Sequence, residues 1–256
     1  MKIGRNTLKR RSEILDILNK TGKVSVSELS DKFNISEVSI RNDLSHLEKK
    51  GLLIKIRGGA IKSQPVNFDL NLNQKLKINY KEKQKIGKKA VEFVKDGDSI
   101  IMDSGSTTLE VAKNLEKFDI NLITNSLPIA DICADFKKVK VIIPGGELRP
   151  DMRSLTGPLT LKAINEFNCD IAFIGADSIS AESGIYTPLI SEAAISRTMI
   201  KIANKVIVVV DSSKFTRKSF AKISSLDYID VIITDNKIQD SDLHKLKSHG
   251  IEVVLV

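Results

Sequence analysis

Residues 35–61, ISEVSIRNDLSHLEKKGLLIKIRGGAI, decide how the amino-terminal quarter of the chain folds. Ser36 is a residue type that caps helices, its side-chain oxygen accepting from an orphan backbone N–H, and Ile40, Leu44 and Leu47 then recur at i, i+4, i+7. That spacing predicts a helix with one buried stripe. Its opposite face carries Ser39, Arg41, Asn42, Ser45 and His46, side chains short enough or rich enough in hydrogen-bonding groups to meet a polar surface. Gly51 supplies a left-handed residue to end the helix, and Leu52 to Ile56 reads as a short strand. Lys55, Arg57, Gly58 and Gly59 then form a basic tip able to turn tightly beside a phosphate backbone. A helix followed by a basic hairpin predicts a winged helix-turn-helix. The candidate DNA contacts are Ser36, Ser39, Arg41, Asn42, Ser45, Lys55, Arg57, Gly58 and Gly59.

The residues upstream fit that reading. Leu8, Ile14, Leu15, Ile17 and Leu18 predict a first helix from about residue 7 to Lys20, with Lys9, Arg10 and Arg11 on its exposed side and Gly22 as its stop. Val24 and Val26 form a brief strand that can pair with the wing, and Ser27 caps a short helix holding Leu29 and Phe33. A short turn at Asn34 then lets the second helix brace the third in a major groove.

The charge distribution agrees. Of a formal net charge of +8, residues 1–62 carry +7, with 14 Lys+Arg against 7 Asp+Glu, and residues 63–256 carry +1. A basic excess confined to one folded module is the footprint of a phosphate-backbone binder. No apolar run approaches the roughly 18 residues that span a bilayer, and the amino terminus lacks a secretory pattern, so a cytoplasmic protein is expected. Cys133 and Cys169 lie in separate apolar segments without metal-ligand spacing, which predicts two buried thiols, no disulfide and no metal.

Residues 62–74 read as a polar linker between a DNA-binding domain, 1–61, and a second domain, 75–256. Lys75 to Val94 resumes a helical pattern with many lysines on a solvated face. From Ser99 the chain alternates between strands (SIIM, NLIT, VKVII, IAFIGA, KVIVVV, VIIT, IEVVLV) and helices at 107–116, 127–136, 158–166, 190–203 and 239–248. Strands rich in β-branched residues without polar alternation predict an α/β domain with a mostly parallel sheet covered on both faces, whose ligands bind beyond the strand ends.

The loops at those ends carry the candidate site. Asp103, Ser104, Gly105, Ser106, Thr107 and Thr108 combine a glycine, hydroxyl donors and a following helix, a pattern suited to phosphate; GK[ST] is absent, which argues against triphosphate hydrolysis. Asn125-Ser126 and Gly145-Gly146 occupy equivalent positions, where either pair also fits a helix cap or a turn; Asp177, which also fits a strand-end cap, Glu192 and Lys214, which also fits an ion pair with Asp211, follow in later loops and helices.

Residues 7–61, through RRSEILDIL, GKVSVSELSDKFNIS, SIRNDLSHLEKKG and RGGA, resemble the amino-terminal domain of the DeoR family of bacterial transcriptional regulators. Residues 75–256, through DSGSTT, TNS, PGG, IGAD and VVDSSKF in family order, resemble its effector domain, whose fold is similar to ribose-5-phosphate isomerases. The resemblance implies a repressor of a carbohydrate operon that binds double-stranded operator DNA as a homo-oligomer, dimer or tetramer, with a phosphorylated sugar as effector and no other cofactor. It implies that Ser104 to Thr108 hold the phosphate, that Asn125, Gly145, Gly146 and Asp177 line the pocket, and that Lys214 offsets ligand charge. This chain has Arg41-Asn42 where the family usually has two arginines, and Ser191-Glu192-Ala193 where relatives show an Asn-Glu-Glu type of segment. The alternative is a sugar-phosphate isomerase or deaminase-like enzyme with an appended DNA-binding domain, using Asp177, Glu192 and Asp211 beside Lys214 for proton transfer.

Overall fold

A computed structural model describes residues 5–49, 52–56, 58–62 and 69–256. The chain divides into two compact units, Met1–Pro65 and Val66–Val256. In the first, α1 (Arg5–Thr21), β1 (Lys23–Ser25), α2 (Val26–Phe33), α3 (Glu37–Lys49), β2 (Leu53–Ile56) and β3 (Gly59–Lys62) enclose one core. Ile40, Leu44 and Leu47 of α3 are buried in it against Ile14 and Leu18 of α1 and Leu29 of α2, so the predicted stripe is the buried face. Each such side chain contributes roughly 1.5–3 kcal/mol by leaving water. The three strands form an antiparallel sheet in the order β1-β3-β2, which realises the expected pairing of the Val24 strand with the wing.

Two expectations about this unit are corrected. The cap of α2 is Ser25, whose Oγ accepts from Glu28 N at 3.1 Å, and not Ser27. The reason is that β1 ends there: Val26 N already donates to Gly58 O. Arg10 and Arg11 do not stand free in solvent either. Their Nε atoms each lie 2.6 Å from the carboxylate of Asp43 on α3, which is 1% exposed and needs partners to be buried as an ion.

In the second unit, the chain enters through α4 (Leu72–Lys77), closed at its start by a capping box between Asn71 and Gln74. The carboxyl end of the expected linker is therefore helical. After α4 the chain turns at Asn79 (φ 51°) and continues as α5 (Tyr80–Ala90). One helix over 75–94 is thus two, and two of its lysines are inside. Lys75 and Lys83 are buried, and Lys83 Nζ donates to Lys75 O at 2.6 Å, satisfying a carbonyl at the end of α4. Burial pulls the Lys83 ammonium down to about 8.

The remaining strands are β4 (Ser99–Met102), β5 (Ile120–Thr124), β6 (Val139–Ile142), β7 (Glu147–Arg149), β8 (Ser154–Thr156), β9 (Cys169–Ile174), β10 (Ser178–Ser180), β11 (Gly184–Thr187), β12 (Ala203–Val209), β13 (Ala221–Ser224), β14 (Val231–Thr234) and β15 (Glu252–Leu255). The helices between them are α6 (Ser106–Ala112), α7 (Leu127–Cys133), α8 (Pro158–Ile164), α9 (Ile190–Lys201) and α10 (Asp240–Ser248). All seven apolar runs read as strands in the sequence enter one parallel sheet, in the order β15-β14-β12-β9-β4-β5-β6.

Successive residues feed opposite faces. Ile101, Ile123, Ala172, Ile174, Val208 and Ile232 pack on one side, and Ile100, Met102, Leu122, Phe173, Ile207 and Val209 on the other. This explains why the strands lack polar alternation. Cys133 and Cys169 are free thiols in these two separate cores, pushed by burial to about 12 and about 11.

Not anticipated were the β7–β8 hairpin and the small antiparallel sheet β10-β11-β13, built from strands of three or four residues.

Candidate functional site

On the first unit, α3 presents Arg41 and Asn42 as exposed side chains. Arg41 pairs with Glu37 one turn earlier. Ser36 acts as a cap, accepting from Ser39 N at 3.3 Å with its hydroxyl 3.1 Å from that of Ser39. Ser45 and Lys55 bind each other: Lys55 Nζ donates to Ser45 Oγ at 2.8 Å, and Lys55 N donates to Glu48 Oε1 at 2.9 Å. These bonds fix β2 to α3.

Gly58 adopts φ 80° in the hairpin turn. Gly59 serves a different purpose from the one expected, because a Cβ there would lie 2.0 Å from Val24 O; it lets β1 close on β3 and is buried. Arg57 and Gly51 lie outside the described residues. The sequence reading passed over Val38, which is 62% exposed and shares the Arg41–Ser45 face at helical spacing.

In the second unit the chain runs from β4 outward to β5 and β6, returns to β9 beside β4, and then runs outward the other way. A cleft opens at this reversal, where doubly wound sheets hold ligands. Asp103 bridges the two central strand ends: its Oδ2 accepts from Gly175 N at 2.8 Å, and its Oδ1 accepts from Thr108 Oγ1 at 2.9 Å and Gly105 N at 3.1 Å. Burial pushes its carboxyl up to about 6. Beyond this brace, Ser104, Gly105, Ser106 and Thr107 line the cleft, and the three hydroxyls have no partner among the described residues. Asn125 donates through Nδ2 to Leu155 O at 2.9 Å, while its buried Oδ1 is unpartnered.

The opposite wall is ionic. Lys75 Nζ lies 2.8 Å from Asp177 and 2.9 Å from Asp69, Lys214 Nζ lies 3.8 Å from Asp177, and Arg149 joins Asp69 to Glu192. The Thr187 hydroxyl sits between Asp177 at 3.3 Å and Glu192 at 3.2 Å. Burial alone would raise the Asp177 carboxyl, but the ammonium groups of Lys75 and Lys214 outweigh it and hold it at about 2. Glu192 is raised, its burial outweighing the attraction of Arg149.

Of the residues expected to hold an effector, Asp103, Ser104, Gly105, Ser106, Thr107, Asn125, Asp177, Glu192 and Lys214 converge on this cleft. Thr108 does not line it. It is fully buried and its hydroxyl is spent on Asp103 and on Gly105 O. Gly145 and Gly146 are also elsewhere, with φ of 72° and 123° at the base of the β7–β8 hairpin. Thr160 Oγ1 donates to Gly145 O at 2.7 Å, and a Cβ on Gly146 would fall 1.9 Å from that hydroxyl oxygen. Their role is to seat the hairpin on α8. Lys75, Asp69 and Arg149 were missed, since each comes from a segment that reads as linker, solvated helix or turn, and only the fold brings them together.

Two family profiles match the chain: DeoR-like helix-turn-helix domain over residues 10–65, and DeoR C terminal sensor domain over residues 78–236. A putative aga operon transcriptional repressor of Escherichia coli O157:H7 is 36% identical over 98% of this chain and 94% of its own length. The HTH-type transcriptional regulator GolR of Listeria innocua is 34% identical over 95% and 96% of the two chains. The lactose phosphotransferase system repressor of Lactococcus lactis subsp. lactis is 33% identical over 95% and 97%. Among solved structures, ribose 5-phosphate isomerase A from Methanocaldococcus jannaschii superposes on 54% of this chain and 55% of its own at 22% identity, with a TM-score of 0.41. The near full-length relatives are named as transcriptional regulators or repressors, which sets aside the enzyme alternative. The chain belongs to the DeoR family of helix-turn-helix transcriptional regulators.

Proposed function

We propose that this regulator represses an operon of carbohydrate metabolism, and that a phosphorylated sugar bound in the cleft controls its affinity for operator DNA. The observation that carries the effector reading is the pairing of unlike walls. The unpartnered hydroxyls of Ser104, Ser106 and Thr107 and the Asn125 Oδ1 acceptor stand on one side, and Lys75, Lys214 and their carboxylates on the other. Hydroxyl donors suit a phosphoryl group, while carboxylates, Thr187 and Asn125 suit sugar hydroxyls. Relatives named as repressors of the aga operon and of a lactose phosphotransferase system support the metabolic assignment.

The protein acts in the cytoplasm as a homo-oligomer on paired half-sites. Arg41 and Asn42 reach base edges, Val38 offers an apolar contact to a thymine methyl, and Arg57 and Gly58 lie along the backbone. Among the described residues no helix is long and apolar enough to cross a membrane.

The test is a titration of hexose and pentose phosphates, each beside its unphosphorylated form, read by the thermal midpoint, because a ligand that binds only the native state raises it by mass action. One phosphorylated sugar should raise the midpoint and change operator affinity, and its unphosphorylated form should do neither. Ser106→Asp places a negative charge against the phosphoryl group and should abolish the response while the protein stays folded. A response that survives this change moves the phosphate elsewhere.

A further inference from the structure

We propose that the outer face of α5 is a second, sequence-independent contact surface for double-stranded DNA, on which Lys81, Lys85 and Lys88 hold the phosphate backbone of a duplex bound by the first unit. Lys83, Ile86, Gly87 and Ala90 are the buried residues of α5. Lys81, Lys85 and Lys88 recur at i, i+4, i+7, all exposed, on the side of the helix directly opposite. Three ammonium groups thus form one stripe along roughly 10 Å of helix axis.

What singles the stripe out is that nothing in the fold answers it. Residues 72–90 hold seven lysines and one glutamate, a net of +6, whereas residues 63–256 together carry +1, which leaves −5 for the remainder. The cations of this unit are therefore gathered on two short helices, where Lys75 and Lys83 turn inward. The carboxylates on and beside α5 are already engaged, Glu82 with Lys237, Glu92 with Lys89 and Glu110 with Lys113. Among the described residues Lys81, Lys85 and Lys88 have no ion pair and no hydrogen-bond partner.

The arrangement works against the helix that carries it. Lys81–Lys85 and Lys85–Lys88 are like-charge pairs at helical spacing, which repel each other. Lys81 also stands in the first turn, where the helix dipole disfavours a cation. A bound polyanion relieves both.

The chemistry selects a phosphate backbone over other anionic partners. Ile86 and Ala90 spend the apolar side of α5 inside the core, so the helix has no face to insert into a lipid surface. A protein interface would present an aromatic or aliphatic anchor, and the stripe offers only flexible point charges, which suit phosphates and do not read bases. A duplex carries one charge for about every 1.7 Å of its axis, so each ammonium finds a phosphate within the length of the stripe. DNA is also the polyanion that the helix-turn-helix domain implies. A duplex held by the first unit is tethered to the second through the same chain, which raises the local concentration of its flanking phosphates.

The experiment titrates the full 256-residue chain into fluorescent random-sequence duplexes of about 12 and about 40 base pairs over a series of salt concentrations. Beside it stand a Lys81→Gln, Lys85→Gln, Lys88→Gln triple variant and the corresponding triple arginine variant. On the longer duplex the glutamine variant should bind about tenfold more weakly at physiological salt, and its slope of log affinity against log salt should be shallower by about 2–3, as three lost phosphate contacts at roughly 0.9 each require. The arginine variant keeps the charge and should match the natural chain. On the shorter duplex, which spans about one helical turn and is filled by the first unit, the three proteins should bind alike. Thermal melting should find the glutamine variant at least as stable as the natural chain, because its like-charge pairs are gone. A lowered midpoint with an unchanged slope gives the lysines a merely structural role and overturns the proposal. Unchanged DNA binding combined with lost binding to phosphatidylglycerol vesicles assigns the stripe to a lipid surface and overturns it as well. If the natural chain binds neither duplex, the DNA-binding reading of the first unit falls and the stripe falls with it; if it binds both and the glutamine variant follows it on each, only the stripe falls.

Discussion

The outer face of α3 and the cleft of the second unit are both polar surfaces, but they hold their charges in opposite ways. On α3 the Arg41–Glu37 pair is about half exposed on each side and joins residues one turn apart. Such a pair contributes only a few tenths of a kcal/mol, so Arg41 can exchange Glu37 for a phosphate or a base at little cost. In the cleft the Lys75 side chain is 8% exposed and its two carboxylate partners are 13% and 18% exposed. There, any new ligand must reorganise groups that already satisfy one another. The first surface is built to change partners freely. The second can change partners only by rearranging buried ion pairs.

The largest expected effect tests this contrast on stability. Lys75→Met leaves Asp69 and Asp177 short of a cation inside the fold, and breaking a buried pair in this way typically costs about 3–5 kcal/mol. Calorimetry should show the sensor unit melting well below its normal temperature; an unchanged midpoint would mean that the cluster is effectively solvated.

A second effect comes from Asp103. Because burial holds its carboxyl at about 6 against an ordinary 3.8, the folded protein keeps a proton between those values that the unfolded chain has released. Its contribution is therefore present at low pH and lost as pH rises from about 4 to about 6, by roughly 3 kcal/mol in total. Asp177, held at about 2, has the opposite sign, its stabilisation being lost as pH falls below about 4. Asp103→Asn should flatten the pH 4–6 portion of the stability curve in urea titrations and leave the acid limb in place.

The smallest stability effect belongs to the recognition face. Arg41→Ala should change folding stability by no more than about 0.5 kcal/mol and weaken operator binding by about 1–3 kcal/mol. Fluorescence anisotropy with operator DNA checks the second number, and unaltered affinity would remove α3 from the groove.

Much of this architecture was legible in the residues. The buried stripe of α3, the wing, the seven parallel strands and the five helices between or beside them all follow from periodicity and β-branched runs. The Ser104–Thr107 lining was legible because glycine and hydroxyl residues cluster within one loop. Where reading stopped, the cause was distance along the chain or brevity. The β7–β8 hairpin is too short and too polar to leave a pattern, and the Gly145-Gly146 turn at its base reads like a ligand loop until Thr160 is seen against it. Gly59 likewise reads as part of a flexible tip until Val24 is found beneath it.

Sequence alone determined the order of the seven parallel strands and the helices between them, the faces they bury and the family to which the chain belongs, because those properties are written in local spacing and in motif order. Tertiary structure alone decided which lysines matter. Lys75 and Lys83 lie among exposed neighbours of the same type in one lysine-rich stretch, and nothing local separates them. Lys75 is singled out by Asp69 and by the distant Asp177, and Lys83 by the turn at Asn79 that brings its ammonium onto Lys75 O. A buried charge is defined by partners remote in the chain, and only the folded chain assembles them.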